Sequence, residues 1–77
     1  MSLITDASAD WSAPVVLSAD EVWQVRKGAA YLTTTAAPAD EDGLFLHEMH
    51  AVQFSAGSTV LYRRHGDTEN VIVREVV

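Results

Sequence analysis

The sequence predicts an all-β protein, a small antiparallel β-sandwich or barrel. The chain has 77 residues, which is enough for a single domain. Short runs rich in Val, Leu, Tyr and Phe recur along it, and turn residues separate them at the spacing expected of a sandwich or barrel. Lys27-Gly28 divides two such runs by two residues, as a tight hairpin turn does.

Seven strands are predicted in order along the chain. They cover residues 14–17, 22–26, 29–34, 44–47, 51–54, 59–64 and 71–76. The second also fits a helix, because Ser18 would cap it, Glu21 follows three residues later and Gly28 would end it. We favour a strand there, since Trp23 and Val25 are β-favouring residues.

The N-terminal residues predict a separate segment. "MSLITDASADWS" is small and polar apart from Leu3, Ile4 and Trp11, and it shows no period. We therefore interpret residues 1–12 as an extended N-terminal arm and residues 13–77 as a single β domain. Trp11 has no obvious local partner, and aromatic anchors are enriched at interfaces. The alternative is that Trp11 folds back onto its own sheet.

Composition limits the classes of partner. Eleven acidic residues against five basic ones give a formal charge of −6, which opposes binding to phosphate backbones, so we expect no nucleic acid partner. Cysteine is absent, which excludes disulfides and thiolate metal sites. Neither a transmembrane stretch nor a signal peptide is recognisable, so we expect a cytoplasmic product without a membrane partner. A chain this short is marginally stable alone, which favours oligomerisation or docking on a larger partner.

The last two strands are apolar on both faces. The alternation of a one-sided sheet fails in them, so we expect another subunit to cover one face. Together with the apolar residues of the arm they give our candidate interface residues: Leu3, Ile4, Trp11, Val60, Leu61, Val71, Ile72 and Val73. The first 25 residues also lack Lys and Arg, which suits either head-to-tail contact between copies or a solvated acidic arm.

"HEMH", residues 47–50, raises the question of a metal site. The zincin motif needs two histidines four apart on a helix, whereas His47 and His50 are three apart and would point to opposite faces of a strand. They converge only if Glu48 and Met49 form a bend, as the flanking strands favour. His65 is then the candidate third ligand, but nothing in the sequence brings it to the pair. We interpret the histidines as surface turn residues, and we expect no metal and no cofactor.

Residues typical of catalysis are not arranged as catalysis requires. The chain has no cysteine nucleophile, no Gly-x-Ser-x-Gly elbow and no glycine-rich loop before a helix. Asp40, Glu41 and Asp42 lie in an open loop, where no apolar burial would raise a pKa for acid catalysis. They form either a solvated tip or a weak calcium site. We expect that the protein is not an enzyme.

One segment resembles a cupin motif. "AVQFSAGSTVLYRR" is similar to the second conserved motif of the cupins, a strand, a Pro-x-Gly turn and a strand. Cupins place a metal-binding histidine three residues after that glycine. In this chain the glycine is Gly57, the residue three later is Val60, and Ser55 stands in place of the proline. The resemblance implies the turn pattern of a jelly roll without its metal site.

The layout of the chain resembles a second group of proteins. After the arm come "LSADEVWQVRKGAAYLTT", an acidic loop, "GLFLHEMHAVQFSAGSTVLYRR" and "NVIVREVV". This layout, over most of residues 13–77, is similar to small β proteins encoded beside capsid genes in tailed phages and phage-derived gene transfer agents. Those proteins decorate or cement the capsid, or form the base of a head spike.

The resemblance implies a structural virion protein on the outer capsid surface. Its partners would be the major capsid protein and further copies of itself in a homotrimer or homopentamer, with a head fibre protein as a further candidate. Two alternatives stay open: a cupin-like small-molecule-binding protein or enzyme that has lost the metal histidine, and a small tail or adaptor protein.

Overall fold

A computed structural model describes residues 1–67 and 69–77. This part of the chain forms eight strands and no helix, which confirms the all-β fold class. All seven predicted strands are present, and β1 is an additional one. The strands are β1 (Ser2–Ile4), β2 (Val15–Val16), β3 (Glu21–Lys27), β4 (Ala29–Thr33), β5 (Leu44–Leu46), β6 (Ala51–Phe54), β7 (Thr59–His65) and β8 (Val71–Val76).

The strands pair into two antiparallel sheets that pack as a sandwich. The front sheet has the order β1-β8-β3-β6 and the back sheet the order β2-β7-β4-β5. Except between β4 and β5, consecutive strands lie in different sheets, and the resulting order is that of a jelly roll. The sandwich predicted from the sequence, with its jelly-roll turn pattern, is therefore confirmed.

Alternation along β3 explains why this segment is a strand and not a helix. Trp23 and Val25 point into the sandwich and have no exposed surface, while Val22 and Gln24, which alternate with them, are partly exposed. The strand ends at a turn in which Gly28 has φ +75°, and a Cβ there would lie 2.8 Å from the carbonyl oxygen of Glu69. The helix alternative for this segment is wrong.

The core lies between the two sheets and is built around Trp23. Its ring packs edge to face against Phe54, with centroids 5.8 Å apart, and lies 6.2 Å from the ring of Tyr62. The other buried residues of the core are aliphatic and come from both sheets and the turns: Ile4, Leu17, Val25, Ala30, Leu32, Val60 and Ile72.

The extended N-terminal arm expected at residues 1–12 is not shown. Ser2–Ile4 pairs with β8 as an edge strand of the front sheet, and Ile4 belongs to the core. The carbonyl oxygen of Ser8 accepts a hydrogen bond from the backbone N–H of Arg64 at 2.7 Å. The backbone of residues 1–12 forms hydrogen bonds with β7 and β8, because both sheets offer backbone donors and acceptors at their margins.

Candidate functional site

The two faces of β7 and β8 are covered within the chain. Val60 and Ile72 are fully buried in the core, so they have no side-chain surface to offer to a partner. Leu61 and Val73 point the other way, yet they are only 8% and 6% exposed. The chain itself buries most of the surface of these four side chains, and the expectation that another subunit covers these strands stays a prediction.

Leu3, Val71 and Val73 come together on the outer face of the front sheet. Leu3 pairs with Val73 across β1 and β8, so both side chains point away from the core. Leu3 is 59% exposed, and Met1 beside it is 79% exposed. Arg26 and Lys27 border the same depression. We call this surface the Leu3 patch and define it by Met1, Leu3, Arg26, Lys27, Val71 and Val73.

Trp11 has a partner in its own chain. Its indole Nε1 donates a hydrogen bond of 3.0 Å to the carbonyl oxygen of Ala39, and the guanidinium of Arg63 lies 5.5 Å from its ring centroid. The same guanidinium donates a hydrogen bond to the carbonyl oxygen of Asp40. Trp11 and Arg63 therefore hold the acidic loop over the back sheet, which agrees with the alternative that Trp11 folds back onto its own sheet.

The acidic loop returns to the sheet through a glycine. Gly43 has φ +95°, and a Cβ at this position would lie 2.6 Å from the carbonyl oxygen of Leu32, so only glycine fits. The next residue, Leu44, starts β5 and is 50% exposed. Gly43 thus separates an exposed apolar side chain from the exposed carboxylates of Asp40, Glu41 and Asp42.

The histidine turn has the predicted bend. His50 donates its backbone N–H to the carbonyl oxygen of His47 at 3.1 Å, and Met49 has φ +70° between them. The two imidazoles converge, with ring centroids 5.7 Å apart, and Nδ1 of His50 accepts a hydrogen bond from the backbone N–H of His47. The turn connects β5 of the back sheet to β6 of the front sheet.

His65 does not join the histidine pair. The ring of Phe45 lies between, 4.7 Å from His47 and 5.0 Å from His65 by centroid, and edge to face with both. Among residues 1–67 and 69–77, no three His, Cys, Asp or Glu side chains are grouped so that they could hold a metal ion. The histidines therefore act as members of an aromatic cluster.

This aromatic cluster extends across the outer face of the back sheet. Tyr31 packs against Phe45 with centroids 5.0 Å apart, and the guanidinium of Arg63 lies 4.3 Å from the Tyr31 centroid. Its neighbouring rings are tilted or edge to face, with interplanar angles of 44° to 81°. They do not form the flat platform on which bases of a single-stranded nucleic acid stack.

Two of the groups whose pKa values are shifted, Glu21 and Tyr62, make contacts within the sandwich. Hydrogen bonds from the Arg74 guanidinium lower the pKa of Glu21, and they outweigh the desolvation of its carboxylate. Burial raises the pKa of Tyr62, and the hydrogen bond that its hydroxyl donates to Asp6 at 2.8 Å raises it further. Both contacts tie elements of the sandwich together.

Comparison with protein-family models, with curated proteins and with solved structures finds no match. In the part of the chain that the structure describes, no helix is long and apolar enough to span a membrane. The surfaces described above are therefore interpreted from their own chemistry.

Proposed function

We propose that the chain is a structural virion protein that decorates or cements the capsid of a tailed phage, or forms the base of a head spike. It acts by adhesion, as a symmetric oligomer bound to the major capsid protein. The observation that carries the proposal is the Leu3 patch, where the exposed side chains of Met1 and Leu3 lie beside Val71 and Val73 on one face. The resemblance of the sequence layout supplies the identity of the partner.

An exposed apolar surface on so small a protein supports an adhesive role. Met1 and Leu3 are 79% and 59% exposed, although the chain buries other aliphatic residues well. Fully burying a leucine side chain contributes about 1.5–3 kcal/mol. Leu3 is already partly buried, so a partner that covers the patch would gain part of this contribution, and the same contact repeated on a multivalent capsid would become tight attachment.

Cosedimentation with capsids tests the proposal. The unaltered chain is mixed with capsids assembled from the major capsid protein of the same genome, and we expect it in the capsid pellet at micromolar concentration. Leu3→Asp should abolish this binding, because it places a charge in the apolar contact. Val16→Asp is the matched control, since Val16 is 69% exposed on the other sheet. Circular dichroism establishes that both variants are folded.

The proposal fails if the unaltered chain stays in the supernatant at all concentrations up to about a hundred micromolar, a range that covers weak specific binding. It also fails if the Leu3→Asp and Val16→Asp variants bind capsids equally well. Cosedimentation with purified tails instead of capsids would favour the tail or adaptor alternative.

The cupin-like alternative is favoured by one observation and opposed by another. The jelly-roll strand order agrees with it, and the segment that resembles the cupin motif forms β6, a turn at Gly57 and β7. Val60, which stands at the position of the metal histidine, is fully buried in the apolar core. A small-molecule ligand between the sheets would have to displace core side chains, so we place this function second.

A further inference from the structure

The turn at residues 47–50 contains a hydrogen bond that only a neutral histidine can accept. Nδ1 of His50 accepts it from the backbone N–H of His47 at 3.2 Å. We propose that this turn is a pH-sensitive latch, which is closed while His50 is neutral and which opens when the His50 imidazole takes up a proton. The inference concerns the turn itself and does not depend on what the chain binds.

The backbone donor determines the tautomer of His50. An amide N–H can only donate, so Nδ1 carries the lone pair and the proton of the neutral ring lies on Nε2. In an imidazolium both ring nitrogens carry a proton, and neither accepts a hydrogen bond. A proton from solvent that binds Nδ1 therefore breaks the bond to the His47 amide. Turning the ring over does not restore it, because the ring then presents a carbon atom.

The latch holds a connection between the two sheets. The turn leads from β5 of the back sheet to β6 of the front sheet. Its backbone is docked on β3, where the N–H of Met49 donates to the carbonyl oxygen of Val25 at 2.6 Å and the N–H of Val25 donates to the carbonyl oxygen of His50 at 3.1 Å. Nε2 of Gln24 donates to the carbonyl oxygen of Met49 at 3.2 Å. Opening the turn therefore loosens one margin of the sandwich.

Backbone strain makes the turn dependent on its hydrogen bonds. Met49 has φ +70°, which lies in the left-handed region that is unfavourable for a residue with a Cβ atom. Its side chain is 62% exposed, so burial of that side chain does not compensate for the strain. The hydrogen bonds around Met49 thus hold a conformation that an isolated segment rarely adopts, and the loss of one of them favours the open turn.

Repulsion between the two imidazoles acts in the same direction. The rings of His47 and His50 have centroids 5.7 Å apart. Histidine side chains change their charge between about pH 5 and pH 8. When both rings are protonated, their like charges oppose the closed turn. The loss of the acceptor and the repulsion therefore occur over the same range of pH.

Other ionisable groups surround the turn on the neighbouring elements. They are two carboxylates, a third imidazole, a phenol and two basic side chains: Glu48, Asp67, His65, Tyr31, Lys27 and Arg63. Glu48 and Asp67 line a depression together with His47 and His65, so they offset charge on those two rings. In the part of the chain that the structure describes, no carboxylate forms an ion pair with His50. The proton on His50 therefore lacks this compensation.

Nuclear magnetic resonance tests the tautomer without any substitution. The ¹⁵N resonances of the His50 imidazole at pH 8 report which ring nitrogen carries the proton, and we expect Nε2. A proton on Nδ1 at this pH would overturn the inference, because Nδ1 could not then accept the hydrogen bond from His47.

Hydrogen exchange measures the opening of the turn. Protection factors of the His47 and Met49 amides are compared at pH 8 and pH 5, each relative to an unstructured peptide at the same pH. We expect them to fall by about two- to tenfold at pH 5, the range of one net hydrogen bond. The amide of Gly57, which donates to the carbonyl oxygen of Leu17 at 2.8 Å, should keep its protection factor. An equal fall at all three amides would contradict a local latch.

Asparagine at position 50 provides the sharpest variant. In His50→Asn the side-chain Oδ1 takes the place of Nδ1 as acceptor but gains no proton in this range, so protection of the His47 amide should no longer depend on pH. His65→Asn is the matched control, because it removes another histidine of the aromatic cluster and leaves the acceptor at position 50. A pH response that persists in His50→Asn, or that is lost in His65→Asn, would overturn the inference.

Discussion

The Arg74 guanidinium donates two hydrogen bonds to the Glu21 carboxylate, at 2.9 and 3.0 Å across β8 and β3. The Glu21 side chain is 9% exposed and that of Arg74 is 26% exposed, so the pair is largely shielded from water. The Arg74 guanidinium also lies 5.0 Å from the centroid of the Trp23 ring, and Trp23 Nε1 donates a hydrogen bond to Glu21. This network joins the charged pair to the core.

Replacing Glu21 by glutamine should destabilise the fold. Glu21→Gln keeps the size of the side chain but leaves the Arg74 charge without its partner, and we expect the free energy of unfolding to fall by about 2 kcal/mol at pH 7. Urea denaturation, monitored by tryptophan fluorescence, measures this free energy of unfolding. Glu69→Gln is the control, because the Lys27–Glu69 pair is exposed and should contribute nothing measurable. Equal losses in the two variants would contradict the role given to burial.

The same pair predicts a pH dependence. Hydrogen bonds from Arg74 lower the pKa of Glu21 below its ordinary value of 4.5, so the Glu21 carboxylate is more readily ionised in the folded state than in the unfolded chain. This stabilisation is complete above the pKa of the unfolded chain and is lost as pH falls through the lower pKa of the folded state. The difference in unfolding free energy between the unaltered chain and Glu21→Gln should therefore shrink between pH 5 and pH 2. If this difference in unfolding free energy does not change with pH, the charge of Glu21 does not stabilise the fold.

Adjacent residues of β1 should respond very differently to substitution. Ile4 is 9% exposed and belongs to the core, whereas Leu3 points outward. Ile4→Ala should lower the free energy of unfolding by about 2 kcal/mol or more, because it opens a cavity. Leu3→Ala should change it by less than about 0.5 kcal/mol. Thermal unfolding of dilute protein measures both. If Ile4→Ala were neutral, residues 1–12 would be an arm outside the core.

The strands that could be predicted from the sequence are those that a local residue pattern indicates. β2 to β8 contain β-branched or aromatic side chains and are separated by turn residues, so composition and turns were sufficient. β1 has three residues, and its stability comes from pairing with β8, whose partner residues lie 68 to 72 positions later in the chain. No local pattern contains that information, which is why residues 1–12 were interpreted as an arm.

The candidate surface was predictable only in part. Leu3 and Val73 were both selected as interface residues, but the pairing of β1 with β8 that brings them together depends on the tertiary structure. Consecutive apolar residues in β7 and β8 predicted that both faces of these strands are buried. Other residues of the same chain bury most of this surface. The bend at residues 47–50 was predictable, because the two predicted strands left only residues 48–50 between them.

Glycine is required at the end of the acidic loop. In Gly43→Ala the new Cβ would lie 2.6 Å from the Leu32 carbonyl oxygen, in addition to the strain of a positive φ. Gly57→Ala is the matched control, since Gly57 has φ +87° with open space around its Cβ position. We expect a loss of about 1 kcal/mol for the control, from backbone strain alone, and about 3 kcal/mol for Gly43→Ala. Chemical denaturation measures the free energy of unfolding of both variants. Equal losses of this free energy would mean that the loop moves to relieve the clash at residue 43.

From the geometry of the aromatic cluster we predict that the unaltered chain does not bind zinc tightly. Zinc sites in proteins use at least three side-chain ligands, but His47 and His50 form only a pair, and Phe45 separates them from His65. Isothermal titration with zinc chloride should therefore show far less than one equivalent bound tightly by the unaltered chain. Phe45→His would place a third imidazole between His47 and His65 and should create zinc binding at micromolar concentration. Tight binding by the unaltered chain, lost in His50→Ala, would show that the histidines converge on a metal despite the intervening ring.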